Sequence, residues 1–157
     1  MKLLFVDSLR IVMDYYLLLG SLTLLLQLSV FLLVVGGFLL KKRQMFRAHG
    51  FAMFAGLVLH LVTIGVIMVP SFVVALVPII ATSPFRDISL FSPVHVALGG
   101  TTAALGLWIV GSWRMRRSLQ FCAPKRKWMR LTIWVWAFSL LSGFLLYLLL
   151  FWNLLFG

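Results

Sequence analysis

The chain has no glutamate, only three aspartates and a single cysteine in 157 residues. Each scarcity closes off a class of function. Asp7, Asp14 and Asp87 all lie outside the long apolar runs. No carboxylate is therefore placed within a membrane to relay protons or hold a coupling cation, which disfavours an ion-coupled transporter or proton pump. The lone Cys122 excludes an intrachain disulfide and, set in a basic loop, fits a reducing compartment. The sequence also lacks G-x-S-x-G, H-E-x-x-H, C-x-x-C and any phosphate-cradling glycine loop. Hydrolytic and nucleotide-driven chemistry lack their usual residues, and no independent catalytic activity is expected.

What the chain has in excess is apolar length. At 63% hydrophobic residues and a mean hydropathy of +1.12, it carries too little polar surface for a soluble globule and reads as an integral membrane protein. Four uncharged runs, Tyr15 to Leu40, Ala48 to about Val69, about Ser92 to Trp113 and Leu131 to about 155, each supply the roughly 20 residues that a hydrocarbon core requires. The expected fold is all-α, a four-helix bundle over residues 15–157 in a lipid bilayer. Residues 1–14 stand apart. Asp7, Arg10 and Asp14 recur at helical spacing opposite Phe5, Val6, Leu9, Val12 and Met13, which suits an amphipathic outer segment or an extension of the first spanning helix. The first run is longer than the apolar core of a signal peptide and is followed by Lys41 to Arg43, so it reads as a retained helix.

The net charge of +11 is unevenly placed. Lys41, Lys42, Arg43 and Arg47 follow the first run, and Arg114, Arg116, Arg117, Lys125, Arg126, Lys127 and Arg130 separate the last two, while the remaining charges cancel. Positive residues in short loops mark the cytoplasmic face, so both termini are expected outside. The same asymmetry, with attraction to anionic headgroups, accounts for the basic balance without any nucleic-acid partner.

Pro70, Pro78 and Pro84 interrupt the second run. Proline removes a backbone donor and disfavours helix in the preceding residue, which predicts a second helix ending near Val69 and an apolar outer connector over residues 71–83. In the third run, Gly99 with Ala103 and Gly100 with Ala104 form small-xxx-small pairs that allow close helix approach. Trp108, Trp113, Trp128, Trp134 and Trp136 flank the second basic loop as an interfacial belt. Ser139, Ser142 and Gly143 form the only small strip of the last helix and suggest a packing seam.

The remaining chemistry is carried by His49, His60 and His95. Counting about 1.5 Å per residue, His60 lies roughly 18 Å and His95 roughly 25 Å from the inner face, similar depths on antiparallel neighbours. Two such imidazoles can supply the axial nitrogens of a haem, haem b being the simplest case, and Gly56 and Gly99, one turn from each, would leave room for a flat macrocycle. The alternative is that His60 bonds Thr63, a serine or a neighbouring backbone and holds helices together. Met45, His49 and Met53 repeat every four residues at the inner interface, a line that could take Cu(I) or complete a second haem, or simply a headgroup-level histidine with packing methionines. Nothing in the spacing singles out a quinone site.

With "RAHGFAM" at the start of the second helix, "SPVHVALGG" in the third and "KWMRLTIWVWAFSLLSGFLLYLLL" at the end, the chain resembles the small four-helix bacterial and archaeal membrane family catalogued as domain of unknown function 420, some members of which assist maturation of haem-copper oxidases. A similar histidine layout occurs in small membrane cytochromes b. The resemblance implies a haem or copper oxidase association in a prokaryotic plasma membrane. Two functions follow as expectations: a haem-binding protein of electron transfer or oxidase maturation, and a non-catalytic accessory subunit packed against a larger membrane redox complex.

Overall fold

The computed structural model describes residues 2–82, 87–113 and 125–156. Cys122 and Arg114, Arg116 and Arg117 lie outside the described residues. Helix α1 spans Lys2–Lys42 and α2 begins as Phe46–Thr63; α3 spans Asp87–Trp113 and α4 Arg126–Phe156. Each neighbours the next in sequence, and α1 also packs on α4, so the four close into a bundle. All four are long and apolar enough to cross a membrane.

Residues 2–14 are helical and continuous with the rest of α1; Asp14 is exposed. The α1–α2 turn is tight. Gln44 takes φ 60°, its N–H bonds Lys41 O (3.0 Å) and the Met45 N–H bonds Leu40 O (3.0 Å), the paired bonds that cap a helix through one left-handed residue. Glycine adopts that conformation freely, whereas other L-residues pay about 1–2 kcal/mol. Gln44→Gly is therefore expected to raise the thermal unfolding midpoint in detergent, by a stabilisation of about 1 kcal/mol; an unchanged or lower midpoint contradicts this reading.

The second helix does not stop near Val69. It runs on through π-helical Ile64–Met68, α-helical Val69–Ser71, π-helical Phe72–Leu76 and α-helical Val77–Thr82. The prolines explain the π turns. Immediately before Pro70 the Val69 N–H bonds Ile64 O, and before Pro78 the Val77 N–H bonds Phe72 O. These i→i−5 bonds widen the turn so that each pyrrolidine clears the preceding carbonyls and the rod survives. From Phe46 to Thr82 it is about 55 Å long at about 1.5 Å per residue, well beyond one hydrocarbon core.

The bundle is ordered oppositely to a soluble protein. Its buried residues include Gln27, His60, Thr63, Ser92, Thr102, Thr132 and Ser139 beside a small apolar set of Val30, Val34, Leu57, Ala103, Trp136 and Leu146, while leucines, valines and phenylalanines cover the outside. Apolar side chains gain nothing by leaving lipid, so polar groups go inside where other helices can bond them. Most of the buried hydroxyls donate to a carbonyl within their own helix: Thr63 to Leu59, Ser92 to Ile88, Thr102 to Leu98 and Thr132 to Trp128.

Small residues set the close approaches. Gly56 of α2 lies against Val30, Leu33 and Val34 of α1, and Gly106 of α3 against Leu57 of α2. Of the two small-xxx-small pairs, Gly99 and Ala103 turn inward, whereas Gly100 and Ala104 are exposed. Where α1 meets α4, Ser21 and Tyr147 share a hydrogen bond (2.9 Å). At the basic end, Trp108 and Trp128 pack edge to face (5.5 Å) and the Lys125 ammonium lies 4.9 Å from the Trp108 ring while bonding the Ser112 hydroxyl. Trp136 departs from that belt. Only 6% exposed, it belongs to the interior.

Candidate functional site

His60, on α2, is 2% exposed and turns to the centre of the bundle. Its Nδ1–H donates to Oε1 of Gln27 on α1 (3.0 Å), and its ring lies 4.9 Å from the indole of Trp136 on α4. Carbonyl oxygens only accept, so Nδ1 carries the proton and, in a neutral imidazole, Nε2 keeps the lone pair. That Nε2 is buried and has no hydrogen-bond partner. The Gly99 carbonyl and His95, both on α3, lie near His60. The Thr63 hydroxyl is committed to Leu59 O (2.8 Å).

His95 is half-buried between α3 and α4. Its Nδ1 lies 3.1 Å from both Ser139 O and Ser142 Oγ, and the Ser142 hydroxyl itself donates to Ser139 O (2.9 Å). The serine lone pairs therefore face Nδ1–H, and Nε2 is again the unprotonated nitrogen. The ring rests on Gly143: a Cβ there would stand 2.7 Å from His95 Cε1 and 3.5 Å from Nε2. The strip of Ser139, Ser142 and Gly143 is thus a seat for His95 as well as a seam.

His49, at the start of α2, repeats the pattern at the basic end. Its Nδ1–H donates to Gly37 O of α1 (2.7 Å). Met53 joins it, since a Cβ on Gly37 would meet the Met53 methyl at 2.6 Å and His49 Nδ1 at 3.6 Å. Met45 turns away and is 51% exposed. Among the described residues no three histidine, cysteine, aspartate or glutamate side chains gather as a metal cage; a haem asks the protein for only two axial ligands.

All three imidazoles hold Nδ1–H against an oxygen acceptor. Metal-ligating histidines do the same, because the bond on one nitrogen fixes the tautomer and orients the other. His60 and His95 lie on adjacent helices and face other helices, whereas His49 sits apart at the basic end of α2. The gaps at Gly56 and Gly99 are taken by neighbouring helices, Gly56 by α1 and Gly99 by Ser139 Oγ at 3.6 Å.

Two members of the site were not singled out from sequence. Gln27 did carry a signal, as the only glutamine within a spanning run: an amide in lipid needs a partner, and such residues face the bundle interior. Trp136 carried none, because it follows Trp134 by two positions in a tryptophan-rich stretch and only the helix rotation separates them; Trp134 is 66% exposed.

Comparison with protein-family models, with curated proteins and with solved structures finds no match for this chain.

Proposed function

We propose that this chain is a small integral membrane protein that binds a b-type haem through His60 and His95 and serves electron transfer or the maturation of a haem-copper oxidase. The observation that carries the reading is the state of the two imidazoles. Each commits Nδ1–H to an oxygen acceptor, leaving Nε2 as the ligating nitrogen, and the His60 lone pair is buried with nothing to bond. A buried polar atom left unpaired costs about 1–3 kcal/mol, which ligation would offset. Bound there, a haem would supply one-electron chemistry at a potential set by its axial ligands and surroundings.

The chain's own residues contribute orientation and exclusion of water. Gln27 holds the His60 ring, Ser139 and Ser142 hold that of His95, and Gly143 gives His95 its depth. Val30, Val34 and Trp136 form the dry packing beside them. A reduced-minus-oxidised visible spectrum of the purified protein tests the reading: a b-type signal near one haem per chain supports it, and a well-folded, colourless protein from haem-replete cells contradicts it.

The long second rod favours one further role. Val66, Val69, Val73, Val74 and Val77 are exposed along a stretch that exceeds a single span, a surface suited to a larger membrane redox partner. As an accessory subunit, the chain would co-purify with that enzyme in fixed stoichiometry whether coloured or not.

Orientation follows from charge, with the basic loops in the cytoplasm of a prokaryote and both termini outside. A thiol reagent that cannot cross membranes is then expected to leave Cys122 unlabelled in intact cells and to label it after lysis. Labelling in intact cells would reverse the topology.

A further inference from the structure

Where α4 begins, Lys125, Arg126, Lys127 and Arg130 fall within six residues, and no acidic side chain follows Asp87 in the sequence. The aspartates belong to the opposite end of the bundle. Asp87 opens α3 roughly 38 Å from Ser112, and Asp14 stands roughly 42 Å along α1 from Lys42. Both spans far exceed the screening length of about 8–10 Å at physiological salt. The counter-charge for these cations therefore comes from outside the chain. One of the four is held differently from the rest. The Lys125 ammonium bonds the Ser112 hydroxyl of α3 and lies 4.9 Å from the Trp108 ring, which packs edge to face on Trp128 of α4. The Ser112 proton goes to Ile109 O, so the hydroxyl serves the lysine as acceptor. These partners are neutral, and an ammonium has three donors; its position is fixed while its charge stays unpaired.

The same place is open on its outer side. Trp108 and Trp128 are 47% and 46% exposed, and a Cβ on Gly111 would meet nothing within 4 Å. Indoles beside a basic loop sit at headgroup level, and Leu107 and Leu131 are exposed deeper along the same two helices. We infer that this edge of α3 and α4 binds one anionic phospholipid, its phosphate paired with Lys125 and the neighbouring cations and its acyl chains against the exposed leucines. The hydroxyl and the ring already order the lysine, so less side-chain entropy is lost on pairing than at an ordinary surface cation. A soluble phosphate would meet the charge but not the apolar face, which decides for a lipid. The other basic turn, with Lys41, Lys42, Arg43 and Arg47, matches this one in charge but contains no tryptophan; there Lys42 lies 5.1 Å from the Phe38 ring. The site uses none of the three histidines and stands independently of the haem reading.

The test is native mass spectrometry of the full-length protein in detergent at near-physiological ionic strength, titrated with phosphatidylglycerol or with phosphatidylcholine of identical acyl chains. The first phosphatidylglycerol is expected to bind at least about tenfold tighter than the first phosphatidylcholine. Lys125→Gln should weaken it about fivefold, the effect of one cation at a membrane surface. Trp108→Leu keeps every charge and removes the ring beside the ammonium, and should weaken it about threefold. Lys42→Gln removes the same charge from the other basic turn and should leave the affinity unchanged. Equal binding of the two lipids, or equal losses for Lys42→Gln and Lys125→Gln, would reveal a diffuse positive field and overturn the site. Displacement of the lipid by glycerol 3-phosphate at comparable concentration would overturn the choice of a lipid. The two lysine variants lie at helix ends and carry the comparison even if Trp108→Leu fails to fold.

Discussion

Purified His60→Ala and His95→Ala are each expected to lose the low-spin b-type spectrum, whereas His49→Ala retains it. On the haem proposal either substitution removes one of two axial nitrogens, and the other histidine cannot compensate from its own helix. The effect should be close to complete, because His60 Nε2 has no competing partner to release it. His60→Ala has a second consequence. It leaves Gln27 Oε1 unpaired beside the already unpaired Nε2, so stability should fall by about 1–3 kcal/mol. Added imidazole should restore part of the spectrum if the cavity admits it, and this separates lost ligation from lost folding. Were His60 only holding helices together, the variant would lose stability without any colour to lose.

The second large effect is expected at Gly143. An added Cβ would meet the His95 ring at 2.7 Å from Cε1, closer than real Cβ contacts come, and at 3.3 Å from Nδ1, a tight one. The ring cannot yield easily, since Nδ1 is held by Ser139 O and Ser142 Oγ on the same helix as the glycine. Gly143→Ala should thus cost about 1–3 kcal/mol by overpacking and shift or abolish the haem signal although the ligands are untouched. Two controls locate the cause. Gly100→Ala, where a Cβ meets nothing within 4 Å, should be neutral or slightly stabilising, as alanine is the better helix former by about 1 kcal/mol. Gly37→Ala meets only the end of the flexible Met53 side chain closely, which can rotate away. A Gly143→Ala protein with wild-type stability and an unchanged spectrum would show that His95 is not seated as described.

The architecture could be read from the sequence because the signals for it are long. Four long uncharged runs, with basic turns after the first and between the last two, have few alternatives in lipid, and the structure has a helix on each. Where the reading went astray, a local rule was outweighed. Pro70 and Pro78 argued for a stop near Val69, yet two π turns carry the helix past both, since backbone groups in lipid have no water to turn to and stay bonded within the helix. The site was half legible. His60 and His95 stood out as the ionisable groups inside spans, but their partners depend on helix rotation, and helices apolar on every side carry little pattern to reveal it. Trp136 was therefore assigned to the membrane interface and Ser139, Ser142 and Gly143 to packing alone. Gln27, a single amide in a leucine run, was the readable clue to the face of α1 that His60 would meet.

Low-temperature electron paramagnetic resonance of the oxidised wild-type protein, prepared with ¹⁵N-labelled histidine so that the axial nitrogens are resolved by double resonance, tests the central claim most directly. The account predicts low-spin ferric iron coupled to two imidazole nitrogens, with one lost in each of the His60 and His95 variants. High-spin iron with a single histidine nitrogen, or a folded protein without iron, would contradict it.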